Sequence, residues 1–262
     1  MTLSGDPGPD RGTPSGSDAP QRFFFVHVQK TAGTTLLIRL GETFAPEQIF
    51  PDETDGEMWG NMPQINVDNL VERWPARREQ VKVVVGHFPA CTAELLGDPF
   101  TTFTVLREPV ERTLSYLRHH RKVTPEDHDK SLEEIYEDPL RMERLVHNHM
   151  VKMFALTVDD MTAWLMTPVD FTPEHLERAK RRLASIDAVG LQEDFETFCR
   201  ELEDRFGWDL GPAVIANDTP HGDPVSEAFR RRIAEDNHYD VELYEFAREL
   251  VAERAAARAA AG

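Results

Sequence analysis

The sequence predicts an α/β fold: a mostly parallel sheet with helices on both faces, in a single domain. Two observations carry this. Short apolar runs rich in Phe and Val recur at 22–28 (RFFFVHV), 82–87 (KVVVGH), 100–107 (FTTFTVLR) and 185–191 (SIDAVGL). Between them lie stretches with apolar residues at helical spacing, and that alternation makes βαβ units whose strands are buried on both faces. At 262 residues the chain suffices for one such domain with a substantial core.

In chain order, residues 1–21 are rich in Gly, Pro, Ser and Asp and read as a disordered tail. Residues 22–262 then form the domain. The run 22–28 is followed at once by QKTAGTT and by LLIRLGETF, which reads as strand, tight loop and helix, with Gly41 expected to end the helix. Residues 46–66, rich in Pro, Asp, Glu, Asn and Gly, read as an irregular loop or lid. NVDNLVERW predicts a short helix capped near Asn66 or Asp68. After the strand at 100–107, Pro109 opens a helix with Val110, Leu114 and Leu117 on one face. Residues 123–138 are polar with one helical patch, and MERLVHNHMVKMFAL reads as a helix. Thr172 and Pro173 start a helix over PEHLERAKRRLAS. DFETFCRELEDRF follows the last strand as a helix, and two more helices lie near 224–236 and 238–260.

Composition limits function. The formal net charge of −18 argues against a nonspecific nucleic-acid binder and against a heavily sulfated polyanionic substrate. It leaves room for a local basic pocket. No apolar run is long enough to span a bilayer, and the N-terminus has no secretory pattern. Cys91 and Cys199 lie in no metal-ligand or CxxC spacing, so a cytoplasmic location is expected. His147 and His149, two apart on a helix, would face different ways, and no metal site is expected. The basic clusters Arg178, Lys180, Arg181, Arg182 and Arg230, Arg231, Arg232 read as solvated helix faces.

Two constellations carry chemistry. Gln29, Lys30, Thr31, Ala32, Gly33, Thr34 and Thr35 join strand to helix. Small residues let the backbone curl around an anion, the first helical N–H groups face it, Lys30 adds a charge, and the threonines add hydroxyls. The loop is not a Walker A motif, because its Lys precedes the small residues. The alternative is a Gly/Thr turn that only starts a helix. The second constellation is Arg107 at a strand's C-terminal end with Ser115 two turns into the next helix. Together they could hold a terminal phosphate. The alternative is an Arg107–Glu111 pair. His27, closing the first strand, is either near the reaction centre or a packed histidine.

HVQKTAGTT resembles the 5′-phosphosulfate loop of carbohydrate-type sulfotransferases that use 3′-phosphoadenosine-5′-phosphosulfate (PAPS). FTVLREPVERTLSYLRHH is similar to their 3′-phosphate motif, GHF to a Gly-His of heparan sulfate 2-O-type members, and VGLQEDFETF to a later family segment. The four stretches fall in family order over 23–198. Gln29 stands where the family usually has Pro, and Ala32 where it often has Gly. The resemblance implies a P-loop-like fold and makes 22–262 a sulfotransferase domain. It places Lys30, Thr31, Ala32, Gly33, Thr34 and Thr35 on the 5′-phosphosulfate and Arg107 and Ser115 on the 3′-phosphate. Catalysis falls to Lys30 and His87, with His87 the base; Asp55 or Glu57 is the fallback. The implied reaction moves a sulfuryl group from PAPS to a hydroxyl, on a carbohydrate or glycosylated small molecule, and releases 3′-phosphoadenosine-5′-phosphate (PAP) without a metal. Residues 46–66 and 123–160 are expected to shape the acceptor pocket. The competing readings are a nucleotide-kinase-like phosphotransferase, which needs a Walker A lysine and a Mg²⁺-holding Asp, and a non-catalytic PAP- or PAPS-binding module.

Overall fold

Five parallel strands in the spatial order β2–β5–β1–β6–β7 form the centre of the molecule: β1 (Phe23–Val26), β2 (Ile49–Phe50), β5 (Val83–Gly86), β6 (Thr101–Leu106) and β7 (Ala188–Leu191). A separate antiparallel hairpin pairs β3 (Glu57–Trp59) with β4 (Met62–Gln64). This computed structural model describes residues 21–59, 62–161, 166, 168–212 and 224–261. Residues 1–20 of the predicted tail lie outside them.

Alternation along the strands sorts the core into two layers. Phe23 and Phe25 of β1, with Val83, Val85, Phe103 and Val105, pack under α1 (Gly33–Thr43) and α9 (Phe195–Phe206). Phe24, Val26 and Val84 face the opposite layer. There lie α2 (Val67–Arg77), α3 (Thr92–Leu96), α7 (His149–Ala155), α8 (Pro173–Ser185) and α11 (His238–Ala261). A satellite cluster joins α4 (Pro109–Val123), α5 (Leu132–Tyr136) and α10 (Glu227–Asp236). The short α6 (Pro139–Arg141) leads into a π-helical turn at Met142–Val146. The α/β architecture with a parallel sheet between helices is as the sequence predicts.

The structure corrects three local expectations. Gly41 does not end α1, which continues to Thr43 and stops where Phe44 turns extended. The stretch 46–66 is not wholly irregular. It contributes β2, the sheet's edge strand, in register with Val83 and Val84, as well as β3 and β4. Two residues are too few to show an alternation signal. The helix expected over 142–156 breaks at Asn148, whose φ of 48° is left-handed. Asp240 of α11 then caps α7, accepting from the N–H groups of Met150 (3.1 Å) and Val151 (2.8 Å).

Chain order fixes where a ligand can sit. From β1 the chain crosses to β2 and returns to β5 on one side of β1, then continues to β6 and β7 on the other. Connections leaving β1 and β6 therefore diverge, and open α/β sheets bind ligands in the crevice such a divergence leaves at the strands' C-terminal ends.

Candidate functional site

Three adjacent strands deliver the site. The loop leaving β1 bends through two left-handed residues, Lys30 (φ 67°) and Ala32 (φ 71°). A residue with a side chain gives up about 1 kcal/mol or more to adopt that conformation, and such residues concentrate at functional loops. The value at Ala32 explains why glycine is common at this position in the resembled family. Gly33 opens α1, and a Cβ there would lie 1.7 Å from His27 Nε2, so the imidazole's seat requires glycine. α1 has no side-chain cap and no acidic residue in its first turn. Its first internal bond runs from Leu36 N to Ala32 O at 3.1 Å. The N–H groups of Gly33, Thr34 and Thr35 thus have no helical acceptor and, with the helix dipole, suit an anion. Thr34 and Thr35 are half-buried beside them. Thr31 departs from expectation: it is fully buried and its hydroxyl donates to Val28 O at 2.9 Å, so it braces the loop from within.

Arg107 leaves the end of β6 and reaches this loop, its Nη1 donating to Lys30 O at 3.4 Å. Its Nε is buried without a hydrogen-bond partner. Glu111, the alternative partner, pairs with Arg230. Glu108 instead caps α4, accepting from Val110 N (3.0 Å) and Glu111 N (2.7 Å). Half-buried Lys30 likewise forms no ion pair with a carboxylate among the described residues. Burial, then the Arg107 charge, holds the Lys30 ammonium below its usual range. Arg107 is itself lowered by burial; the nearby Glu111 and Glu108 carboxylates oppose this, and the Arg118 guanidinium adds to it. Ser115 sits half-buried two turns into α4. A guanidinium, an ammonium and an open helix start converge, and neither cation forms an ion pair among the described residues, although Glu111 and Glu108 act on Arg107 from nearby; an anion among them would relieve their repulsion.

His87 follows β5 on the other side of β1. Its Nδ1–H donates to His27 O at 2.9 Å, which in the neutral ring leaves the lone pair on Nε2. One ring nitrogen is thus bound to the adjoining loop, and Nε2 makes no hydrogen bond among the described residues. Burial and the Lys30 charge lower its pKa below the ordinary histidine value, although the bond to His27 opposes them, so near pH 7 the ring is a neutral acceptor. Gly86 makes this turn possible: its φ is +149°, and a Cβ would come within 2.3 Å of the Phe88 ring. The His27 ring lies 4.2 Å from that of His87 and stacks on Phe25 at 5.0 Å. It is buried and held well below its usual pKa, first by burial and then by the His87 and Lys30 charges. Asp55, one fallback base, is committed elsewhere, taking two bonds from Arg77 Nη1 at 2.9 and 3.1 Å. Glu57 opens the β3–β4 hairpin.

Sequence reasoning missed several contributors. His119 of α4 is close enough to Lys30 for that charge, after burial, to lower its pKa. Arg118, three residues past Ser115, was readable from helical spacing once Ser115 was chosen. Arg107 also lines an open cleft of about 320 Å³ with Glu108, Glu111, Glu193, Tyr244, Glu245 and Arg248, the last three from the C-terminal helix, which no local motif announces. The basic clusters outside the site are largely paired, as with Arg178–Asp160, Arg182–Glu94 and Arg232–Glu137. No group of three or more His, Cys, Asp or Glu among the described residues has the arrangement of a metal site. No helix there is long and apolar enough to cross a membrane. No protein-family model and no curated protein matches this chain, so its family resemblance rests on the motifs themselves.

Proposed function

We propose that the chain is a PAPS-dependent sulfotransferase with a P-loop-like donor site, acting on a hydroxyl of a carbohydrate or glycosylated small molecule. The observation that carries this reading is the convergence of Lys30, Arg107 and the uncapped start of α1, with neither cation in an ion pair among the described residues. In this reading the N–H groups of Gly33, Thr34 and Thr35 and the hydroxyls of Thr34 and Thr35 hold the 5′-phosphosulfate. Arg107 and Ser115 hold the 3′-phosphate. The acceptor oxygen bonds to sulfur as the bond from sulfur to the bridging oxygen breaks, and PAP departs with the electron pair. Lys30 stabilises charge on that oxygen, and His87 Nε2 takes the acceptor's proton. As in phosphoryl transfer, positioning and electrostatics supply most of the acceleration. A kinase-type reading has less support: Glu108, the carboxylate at the end of β6, is engaged as a helix cap. Cys91 and Cys199 are buried free thiols, which fits a reducing cytoplasm.

The test is incubation with sulfur-labelled PAPS and a cell extract fractionated by chemical class, read by mass spectrometry. The reading expects one fraction to gain one SO₃ in an enzyme-dependent way, with PAP released. Transfer of phosphate from ATP, with none of sulfate from PAPS, would replace it with the kinase reading.

A further inference from the structure

One cation of the site has no task in the reaction described above. Arg118 lies on α4 three residues beyond Ser115. Residues at that spacing share a helix face, and helical side chains lean towards the helix N-terminus. Its arm therefore runs back along the Ser115 side towards the strand end that carries Arg107. The coupling between the two guanidiniums agrees, since the Arg118 charge is among the influences on Arg107. Arg118 is half-buried, its Nε is buried without a hydrogen-bond partner, and it forms no ion pair among the described residues. Arg112 of the same helix gives the contrast. It too is buried and its Nε and Nη1 also lack partners, yet its Nη2 donates to Val146 O at 2.5 Å and lies 3.9 Å from the Asp240 carboxylate. Glu111 and His120 of α4 are matched as well, to Arg230 and Asp127.

We propose that Arg118 is a second guanidinium for the terminal phosphate held by Arg107 and Ser115, making the site selective for nucleotides that carry a 3′-phosphomonoester. This rests on the proposed donor. Two guanidiniums close enough to lower one another's basicity, neither in an ion pair, gain from sharing an anion. A phosphomonoester carries nearly two charges near neutral pH and three terminal oxygens, enough for both guanidiniums and one hydroxyl. The 5′ end has its own partners in Lys30 and the start of α1. Arg118 therefore acts on the choice of nucleotide, while the chemical step stays with Lys30 and His87.

The experiment is calorimetric titration of the full chain with PAP and with 5′-AMP, which lacks the 3′-phosphate. Wild type, Arg118→Gln and Arg118→Lys are compared, each first shown to melt at a similar temperature without ligand. The proposal expects Arg118→Gln to weaken PAP binding roughly tenfold or more and 5′-AMP binding less than about twofold, in line with losing a charge-assisted bond to the 3′-phosphate alone. Arg118→Lys should recover part of the loss, because it keeps the charge and loses the fork. Unchanged PAP affinity in Arg118→Gln, or equal losses for both nucleotides, would overturn the role of Arg118 and leave the donor assignment standing. Failure of the wild type to bind PAP would bring down the donor assignment, and this role with it.

Discussion

Arg39 on α1 and Arg107 at the end of β6 are both largely withdrawn from water, and their surroundings differ completely. Arg39 donates to Leu210 O (2.9 Å), to Gly211 O (3.1 Å) and to both oxygens of Glu196 (3.0 and 2.9 Å). It ties α1 to α9 and to the chain beyond it. Arg107 has one long bond to Lys30 O, a buried Nε without a partner, and no ion pair among the described residues, with charges of both signs nearby. A structural arginine brings its counter-charge with it, because a buried charge left unmatched is expensive. Where the fold tolerates the unmatched arrangement, at the C-terminal edge of the sheet and beside a loop with two left-handed residues, the arrangement points outward to a ligand. Removing a matched cation should therefore harm folding, and removing an unmatched one should harm binding or turnover.

The largest effect is expected at Lys30. Lys30→Ala should lower single-turnover transfer by about 10²–10³-fold, the range for losing one group that stabilises charge in the transition state, while PAP affinity changes far less. An equal loss in both would make Lys30 an ordinary binding residue. His87→Ala should lower turnover by about 10²-fold with PAP affinity near wild type, the usual range for a general base. The wild-type pH–rate profile should agree in sign. Protonation of His87 removes the base, and its pKa is lowered, so activity should hold through pH 6.5–8 and fall only below the ordinary histidine value. A fall beginning above pH 7 would contradict this assignment.

The two arginines sharpen the comparison directly. Arg107→Ala should weaken PAP binding by about 1.5–3 kcal/mol, the range for hydrogen bonds to charged groups, as read by calorimetry. Arg39→Met should leave PAP affinity of the folded protein intact and lower unfolding stability by about 2 kcal/mol in urea, a figure kept modest because Glu196 is half exposed. The smallest effect has the opposite sign. Arg107→Met should raise ligand-free stability by about 0.5–1 kcal/mol, since a half-buried guanidinium with an unpartnered Nε and no ion pair is replaced by an apolar chain of similar length. A destabilised Arg107→Met would show that Arg107 has a structural partner after all.

What the sequence disclosed follows the range of the signals. β1, β5 and β7 are short continuous apolar runs and β6 mixes threonines with Phe103, Val105 and Leu106, all visible without neighbours. The loop at Lys30 and the Arg107–Ser115 pair are short and local, so the motifs place them. The edge strand β2 is only two residues long and owes its existence to pairing with β5, which no local pattern encodes. The break at Asn148 comes with a cap on α7 from Asp240, 92 residues further along the chain than Asn148. The inward turn of the Thr31 hydroxyl and the use of Gly33 to seat His27 are facts of packing. Burial and the absence of an ion pair among the described residues set apart Lys30, Arg107 and Arg118, and both are properties of three-dimensional arrangement.

The central claim is that this unmatched positive cluster is a site for a nucleotide with a 3′-phosphate. Thermal melting of the wild-type protein with PAP, and separately with ATP and Mg²⁺, tests it most directly. A ligand that binds only the folded state raises its stability by mass action, so saturating PAP should raise the melting temperature by several degrees. ATP with Mg²⁺ should raise it far less, having no 3′-phosphate for Arg107 and Ser115. Equal stabilisation by ATP that depends on Mg²⁺, or none by PAP, would contradict the claim.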